Sequence, residues 1–234
     1  MRVTERWGQG VMGLLLAAVA STGHAHDTDI APPIDPEVWA ERATLTPDAR
    51  TAHDWIRANG DAVGRPFAIV DKKRAHVFVF RADGRLAGDT AALLGLAPGD
   101  QGTPGAAQRI ASLTPAERTT PAGRFDTEPG HNLAGEAIVW VDYDAAISMH
   151  RVRTTNKADR RLERLASPTI ADNRISYGCI NVPAAFYDAY VKPALGQRRG
   201  VVYVVPESSP VAAHFDFLNP AKDARAPSPV RPAL

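Results

Sequence analysis

The sequence predicts a mostly β domain, a sandwich or barrel with a few short helices. Two observations predict the class. β-rich runs separated by turn residues recur between Phe67 and Val205, and helical spacing is confined to a few short stretches. A third bounds the size: 234 residues, 44% of them hydrophobic, suffice for one cored domain of up to roughly 200 residues plus flanks.

Taken in order, the chain opens with export grammar. Arg2 and Arg6 precede an apolar run of ten, Val11 to Ala20, and small-residue cleavage sites follow at Ala18-Val19-Ala20 or Gly23-His24-Ala25. Residues 1–25 are expected to be a cleaved signal peptide, because ten apolar residues fall well short of the about 20 a membrane-spanning helix needs. No cysteine lies near the cleavage region, so a lipid-anchored N-terminus is not expected, nor is a later transmembrane anchor. Residues 26–65 read as a linker with Pro32, Pro33 and Pro36, then a short helix. Thr46 caps it, Pro47 takes its first position, Ala52 and Ile56 share a face, and Asn59-Gly60 stops it.

Residues 66–206 hold the predicted domain. Phe67 to Val70 and Ala75 to Phe80 read as strands, with a turn at Ala82-Asp83-Gly84. Ile138 to Val141, Ala146 to His150 and Val201 to Val205 read likewise. Pro183 to Val191 looks helical, with Phe186 and Tyr190 spaced for burial. Residues 207–234 are expected to be a Pro-rich tail, loose from Asn219 onward.

Charge excludes some functions. Against 27 Lys+Arg stand 26 Asp+Glu, a net +1 that argues against a nucleic-acid scaffold or a polybasic membrane binder. No cofactor is expected. A thiol redox protein would need a C-x-x-C pair, and a zinc enzyme a histidine pair or His/Cys cluster at ligand spacing; neither pattern occurs.

The one cysteine, Cys179, lies in Ser176-Tyr177-Gly178-Cys179-Ile180-Asn181. It cannot form an intramolecular disulfide, and in an oxidising space a free thiol is a liability unless it is used. It is read as a nucleophile; the competing reading is a small buried hydrophobe. A thiol nucleophile needs a base. Seven histidines are available: His24 and His26 at the cleavage region, His53 on the first helix, His76 in a strand, His131 in the turn Glu128-Pro129-Gly130-His131, His150 and His214. His150 ends a strand and is the nearest one before the cysteine. His131 is the alternative, unless both are structural.

The hexapeptide resembles the signature of the L,D-transpeptidase catalytic domain (the YkuD family), normally S/T-H-G-C-x-N/R, in which a histidine at an upstream strand end is the base; His150 matches it. Thr120-Pro121-Ala122-Gly123-Arg124-Phe125 is similar to the family's T-P-x-G-x-F/Y stretch, and Ala68 to Gly84 resembles its opening hairpin. The resemblance covers about Pro66 to Pro206 and implies an L,D-transpeptidase-like β-sandwich or barrel. It also implies a periplasmic enzyme acting on peptidoglycan stem peptides. Cys179 would attack the carbonyl between residue three and the D-Ala at position four. An amine, from another stem or a wall-linked lipoprotein, would resolve the thioester. Backbone N–H groups of Tyr177, Gly178 and Cys179 are the expected oxyanion donors. Ser176, Arg174 and Asn181 are the expected substrate contacts, although Asn181 and Ser176 are also suited to holding the loop.

Three departures stand out. Tyr177 replaces the usual histidine before the glycine, Arg151 follows His150 where the family has glycine, and the segment from His150 to Cys179 is longer than the family spacer. Within it, Lys157 to Leu165 reads as a solvated amphipathic helix resting on Leu162 and Leu165. The alternative is a lid in which Arg160, Arg161 or Arg164 meets substrate carboxylates. A hydrolase on the same scaffold and a non-catalytic peptidoglycan-binding module remain competing readings.

Overall fold

The structure, a computed structural model, describes residues 45–62 and 64–211. The expected signal peptide, the proline linker, the loose tail and His24, His26 and His214 lie outside them.

Helix α1 (Pro47–Asn59) begins where the sequence places it. Thr46 Oγ1 accepts the Ala49 N–H at 3.2 Å, and Gly60 ends the helix in the left-handed conformation at φ +61°. Eleven strands follow: β1 (Phe67–Asp71), β2 (His76–Phe80), β3 (Leu86–Ala91), β4 (Leu94–Gly95), β5 (Gly123–Asp126), β6 (Glu128–His131), β7 (Ala137–Asp142), β8 (Ile147–Arg151), β9 (Arg174–Ser176), β10 (Ile180–Val182) and β11 (Val201–Val205). Helix α2 (Arg161–Ala166) lies between β8 and β9. Consecutive helical turns, Ala184–Phe186, Tyr187–Val191 and Lys192–Leu195, form α3 between β10 and β11. The domain is strand-rich, as predicted.

One sheet has the order β3-β2-β1-β11-β5 and the other β10-β8-β7-β6, with a small third pair, β4-β9. β1 runs parallel to β11, with Phe67 opposite Val201, and antiparallel to β2. The period of two in each strand sorts its side chains between two cores. Ala68, Val70, Val202 and Val204 face the second sheet, where Val139, Met149, Ile180 and Val182 meet them with Tyr187, Val191 and Leu195 of α3. Phe67, Ile69, Val201 and Tyr203 turn the other way, onto Ala49, Ala52 and Ile56 of α1. A sheet covered on both faces has no polar side, which is why β1 and β11 are continuous apolar runs rather than alternating ones.

The predicted start of the tail is too early. Asp100 accepts hydrogen bonds from the Glu207 N–H at 2.8 Å, the Ser208 N–H at 2.9 Å and the Ser209 hydroxyl at 2.7 Å, so residues 207–209 belong to the folded body. Lys72, fully buried, reaches Asp100 at 3.1 Å and Glu207 at 3.2 Å. A buried lysine without such partners would be strongly destabilising.

Candidate active site

Parallel pairing of β10 with β8 sets Ile180 opposite Met149 and Asn181 opposite His150. The residue before β10 is therefore level with Ser148. Alternation along β8 puts Ser148 and His150 on one face while Met149 goes into the core. Cys179 Sγ lies 3.6 Å from Ser148 Oγ and 3.5 Å from the Ala146 carbonyl, and the His150 side chain stands close enough to act on it electrostatically. The thiol and imidazole the sequence singles out are brought together by strand register.

Reaching that position requires an abrupt turn at Gly178. Its φ is +126°, and a Cβ there would stand 2.5 Å from Ile147 Cδ1 and 2.8 Å from the Thr119 carbonyl oxygen. Only glycine satisfies both the dihedral and the space. Side-chain hydrogen bonds then hold the loop. Thr120 Oγ1 donates to the Gly178 carbonyl at 2.7 Å and accepts the Gly95 N–H at 2.8 Å. Ser176 Oγ donates to the Cys179 carbonyl at 2.7 Å, and Asn181 Nδ2 donates to the same oxygen at 3.1 Å.

The electrostatics favour a thiolate–imidazolium pair. Burial alone pushes the Cys179 thiol up, but the hydrogen bond and charge of His150, aided by Ser148, outweigh it and the thiol is lowered overall. For His150, burial disfavours the charged ring, yet Cys179 and the Arg151 carbonyl prevail and the ring is raised; Arg153 opposes this. His150 Nδ1–H donates to the Arg151 carbonyl at 2.7 Å, which leaves Nε2 for the thiol.

The other predicted residues divide. Ser176 and Asn181 line the cleft, but Ser176 spends its hydroxyl on the loop and Asn181 its Nδ2 on the loop and its Oδ1 on Arg161; Ser176 Oγ also accepts the Gly178 N–H at 3.1 Å, removing that donor from the expected oxyanion set. Arg174 is not brought to the cleft. It sits at the opposite end of β9 from the nucleophile loop, where it donates to the Lys72 carbonyl at 2.9 Å and pairs with Glu207. Tyr177 lines the cleft, 39% exposed, with the Arg118 guanidinium 3.9 Å above its ring. His131 is in strand β6 rather than a turn and is exposed, while His53 is buried in α1 against Phe80. Among the described histidines, only His150 lines the cleft.

The long segment after His150 forms one cleft wall. Of the two leucines expected to seat its helix, Leu165 is buried and Leu162 is 59% exposed. Arg161 reaches the cleft, Arg160 pairs with Glu163 in solvent, and Arg164 bonds the Asp159 and Asp172 carbonyls. The cleft encloses about 570 Å³, and Cys179, His150, Ile110, Ala111 and Tyr177 line it together with this segment. Sequence reasoning missed Ser148 and the role of Thr120. Alternation from His150 pointed to the first, and the Thr120-Pro121-Ala122-Gly123 motif contained the second.

No helix among the described residues is long and apolar enough to cross a membrane. No protein-family model matches this chain, and no curated protein matches it. Solved structures similar to it include an L,D-transpeptidase mutant of Enterococcus faecium, 19% identical, covering 60% of this chain and 49% of that one with a TM-score of 0.34. The catalytic domain of the Enterococcus faecium L,D-transpeptidase is 19% identical, covering 60% of this chain and 97% of that one at a TM-score of 0.33. The helical cell shape determining protein Pgp2 of Campylobacter jejuni is 14% identical, covering 62% and 49% at 0.40. This chain thus spans about half the length of the first and last of these proteins. Among the similar structures are L,D-transpeptidase domains, the family that the Ser176 to Asn181 motif resembles.

Proposed function

We propose that this protein is a peptidoglycan L,D-transpeptidase working outside the cytoplasmic membrane, with Cys179 as nucleophile and His150 as base. One observation carries the reading: the only cysteine lines the same cleft as a histidine that acts on it electrostatically and whose other nitrogen is fixed by a backbone carbonyl. The motif resemblance supplies the substrate class, and the export-like N-terminus the location.

In the first half-reaction the Cys179 thiolate attacks the carbonyl between residue three and D-Ala four of a tetrapeptide stem. The oxyanion accepts from the N–H groups of Cys179 and Tyr177, which have no partner among the described residues, whereas that of Gly178 is engaged by Ser176. Such a donor is worth roughly 10²–10³-fold in rate. The C–N bond breaks, His150 passes its proton to the departing D-Ala amine, and an acyl-thioenzyme remains. In the second half, neutral His150 takes a proton from an acceptor amine as that amine attacks. A new amide forms, the C–S bond breaks, and the thiolate–imidazolium pair is restored. Proton transfer of this kind contributes roughly 10²–10⁴-fold. The acceptor is a second stem peptide, giving a 3–3 cross-link, or a wall-linked lipoprotein.

Mass spectrometry of tetrapeptide muropeptides incubated with the protein and with Cys179→Ala tests this. The expected products are 3–3 dimers absent from the variant. Tripeptide monomers alone would make the protein a hydrolase, and identical products from both proteins would make it a binding module.

A further inference from the structure

The cleft wall built by residues 151–161 carries charge for which acyl transfer has no use. Two guanidinium groups, those of Arg153 and Arg161, line it beside one carboxylate, that of Asp159. Arg161 is held in place. Its Nε donates to Asp159 Oδ2 at 2.8 Å and its Nη1 to Asn181 Oδ1 at 3.0 Å, and the side chain is 17% exposed. Asn156 Nδ2 fixes Asp159 in turn, at 2.7 Å. Arg161 Nη2 has no partner among the described residues. Arg153 is looser: its nearest carboxylate, Glu136, is 3.8 Å away, and its side chain is 48% exposed. Its charge still acts on His150, whose protonation it opposes. Asp159 offsets Arg161 closely, whereas Arg153 has only the distant, solvent-exposed Glu136, so positive charge in the wall is the less well compensated at Arg153.

We propose that Arg153 and Arg161 form a carboxylate-binding subsite, which takes a free carboxylate of the peptide substrate and sets the scissile carbonyl over Cys179. This rests on Cys179 being the nucleophile. A guanidinium already locked on two sides loses little rotamer freedom when a carboxylate arrives, and its planar fork matches two carboxylate oxygens. The ligand class is an acidic peptide; its amidated counterpart, of the same size and without the charge, would be discriminated against.

Alkylation of Cys179 in the full chain by iodoacetate and by iodoacetamide tests this, because the ratio of the two rates cancels the thiolate fraction. Arg161→Ala and Arg153→Ala are each expected to lower the iodoacetate-to-iodoacetamide ratio about three- to tenfold, as for the net loss of one ordinary hydrogen bond. Arg161→Lys, which keeps the charge and loses the fork, should fall between. Arg160→Ala removes an equal charge from a solvent-facing pair with Glu163 and should leave the ratio unchanged. An unchanged ratio in both cleft variants overturns the proposal. So does an equal fall with both reagents in Arg161→Ala, which would reduce Arg161 to a support for Asn181. If Cys179 reacts with neither reagent, the nucleophile reading fails and the subsite is tested separately. In Cys179→Ala, NMR perturbation by a dipeptide with a free carboxylate is compared with that by its amide. Perturbation specific to the carboxylate and lost on Arg153→Ala or Arg161→Ala upholds the subsite; equal perturbation by both peptides overturns it.

Discussion

Thr120→Val isolates the link between the Thr120-Pro121-Ala122-Gly123 motif and the nucleophile. Valine keeps the shape of threonine and removes one oxygen. In the fully buried site that oxygen serves two groups, the Gly178 carbonyl at 2.7 Å and the Gly95 N–H at 2.8 Å. The substitution leaves both without a partner, and each buried unpaired group costs about 1–3 kcal/mol. Allowing for partial relaxation, the loss is about 3 kcal/mol, a fall in Tm of about 6–12 °C for a chain of this size. The Gly178 loop also loses a tether on one side of its left-handed turn, so the thiol drifts from His150 and muropeptide turnover falls about tenfold or more. Differential scanning calorimetry and the muropeptide assay read the two effects, and Thr120→Ser should restore both. A Tm within about 1 °C of the parent in Thr120→Val, with unchanged turnover, would refute the reasoning.

Two more predictions concern protons. The rate of Cys179 alkylation by iodoacetamide should rise with pH through a midpoint below the ordinary thiol value of about 8.5, since His150 lowers the thiol. In His150→Ala that stabilisation is gone while burial still disfavours the thiolate, so the midpoint should move above about 8.5; equal midpoints would contradict the pairing. Asp100 is pushed up by burial but held well below its usual range overall by Ser209, Glu207, Ser208 and Lys72. A carboxylate lowered in the folded state stabilises fully above its unfolded value, about 3.9, and loses that contribution as pH falls toward the folded value. The difference in urea midpoint between the parent and Asp100→Asn should therefore be largest near neutrality and shrink below about pH 4; a difference independent of pH would count against the network.

The sequence revealed the elements whose chemistry is local. The N-cap at Thr46, the Asn59-Gly60 stop and the apolar runs of β1, β2, β7, β8 and β11 were all legible, because caps, turns and two-sided burial leave direct marks on composition. β3 was hidden because Leu86 to Ala91 is mostly small and polar, as suits an edge strand with little to bury. β6 was hidden by Pro129 and Gly130; proline survives there because β6 is also an edge, and Gly130 is required because a Cβ would stand 2.6 Å from the Trp140 ring. At the site, Cys179 and His150 were legible from residue type and spacing. The roles of Ser176, Asn181 and Arg174 were not, since a polar side chain near a nucleophile gives no sign of whether it faces substrate or backbone. Only the register of β10 on β8 and the turn at Gly178 decide that.

The place of β11 governs when the domain can form. It lies inside the first sheet, between β1 and β5, and its parallel partner β1 is made long before it. Until residue 205 has been synthesised, β1 and β5 lack their shared neighbour and α1 has half a surface to rest on. Contacts that close so much chain are slow to form, because the entropy of closure is lost before the pairing energy arrives. A chain cut before Val201 would accordingly leave β1, β5 and α1 without the one strand that touches all three.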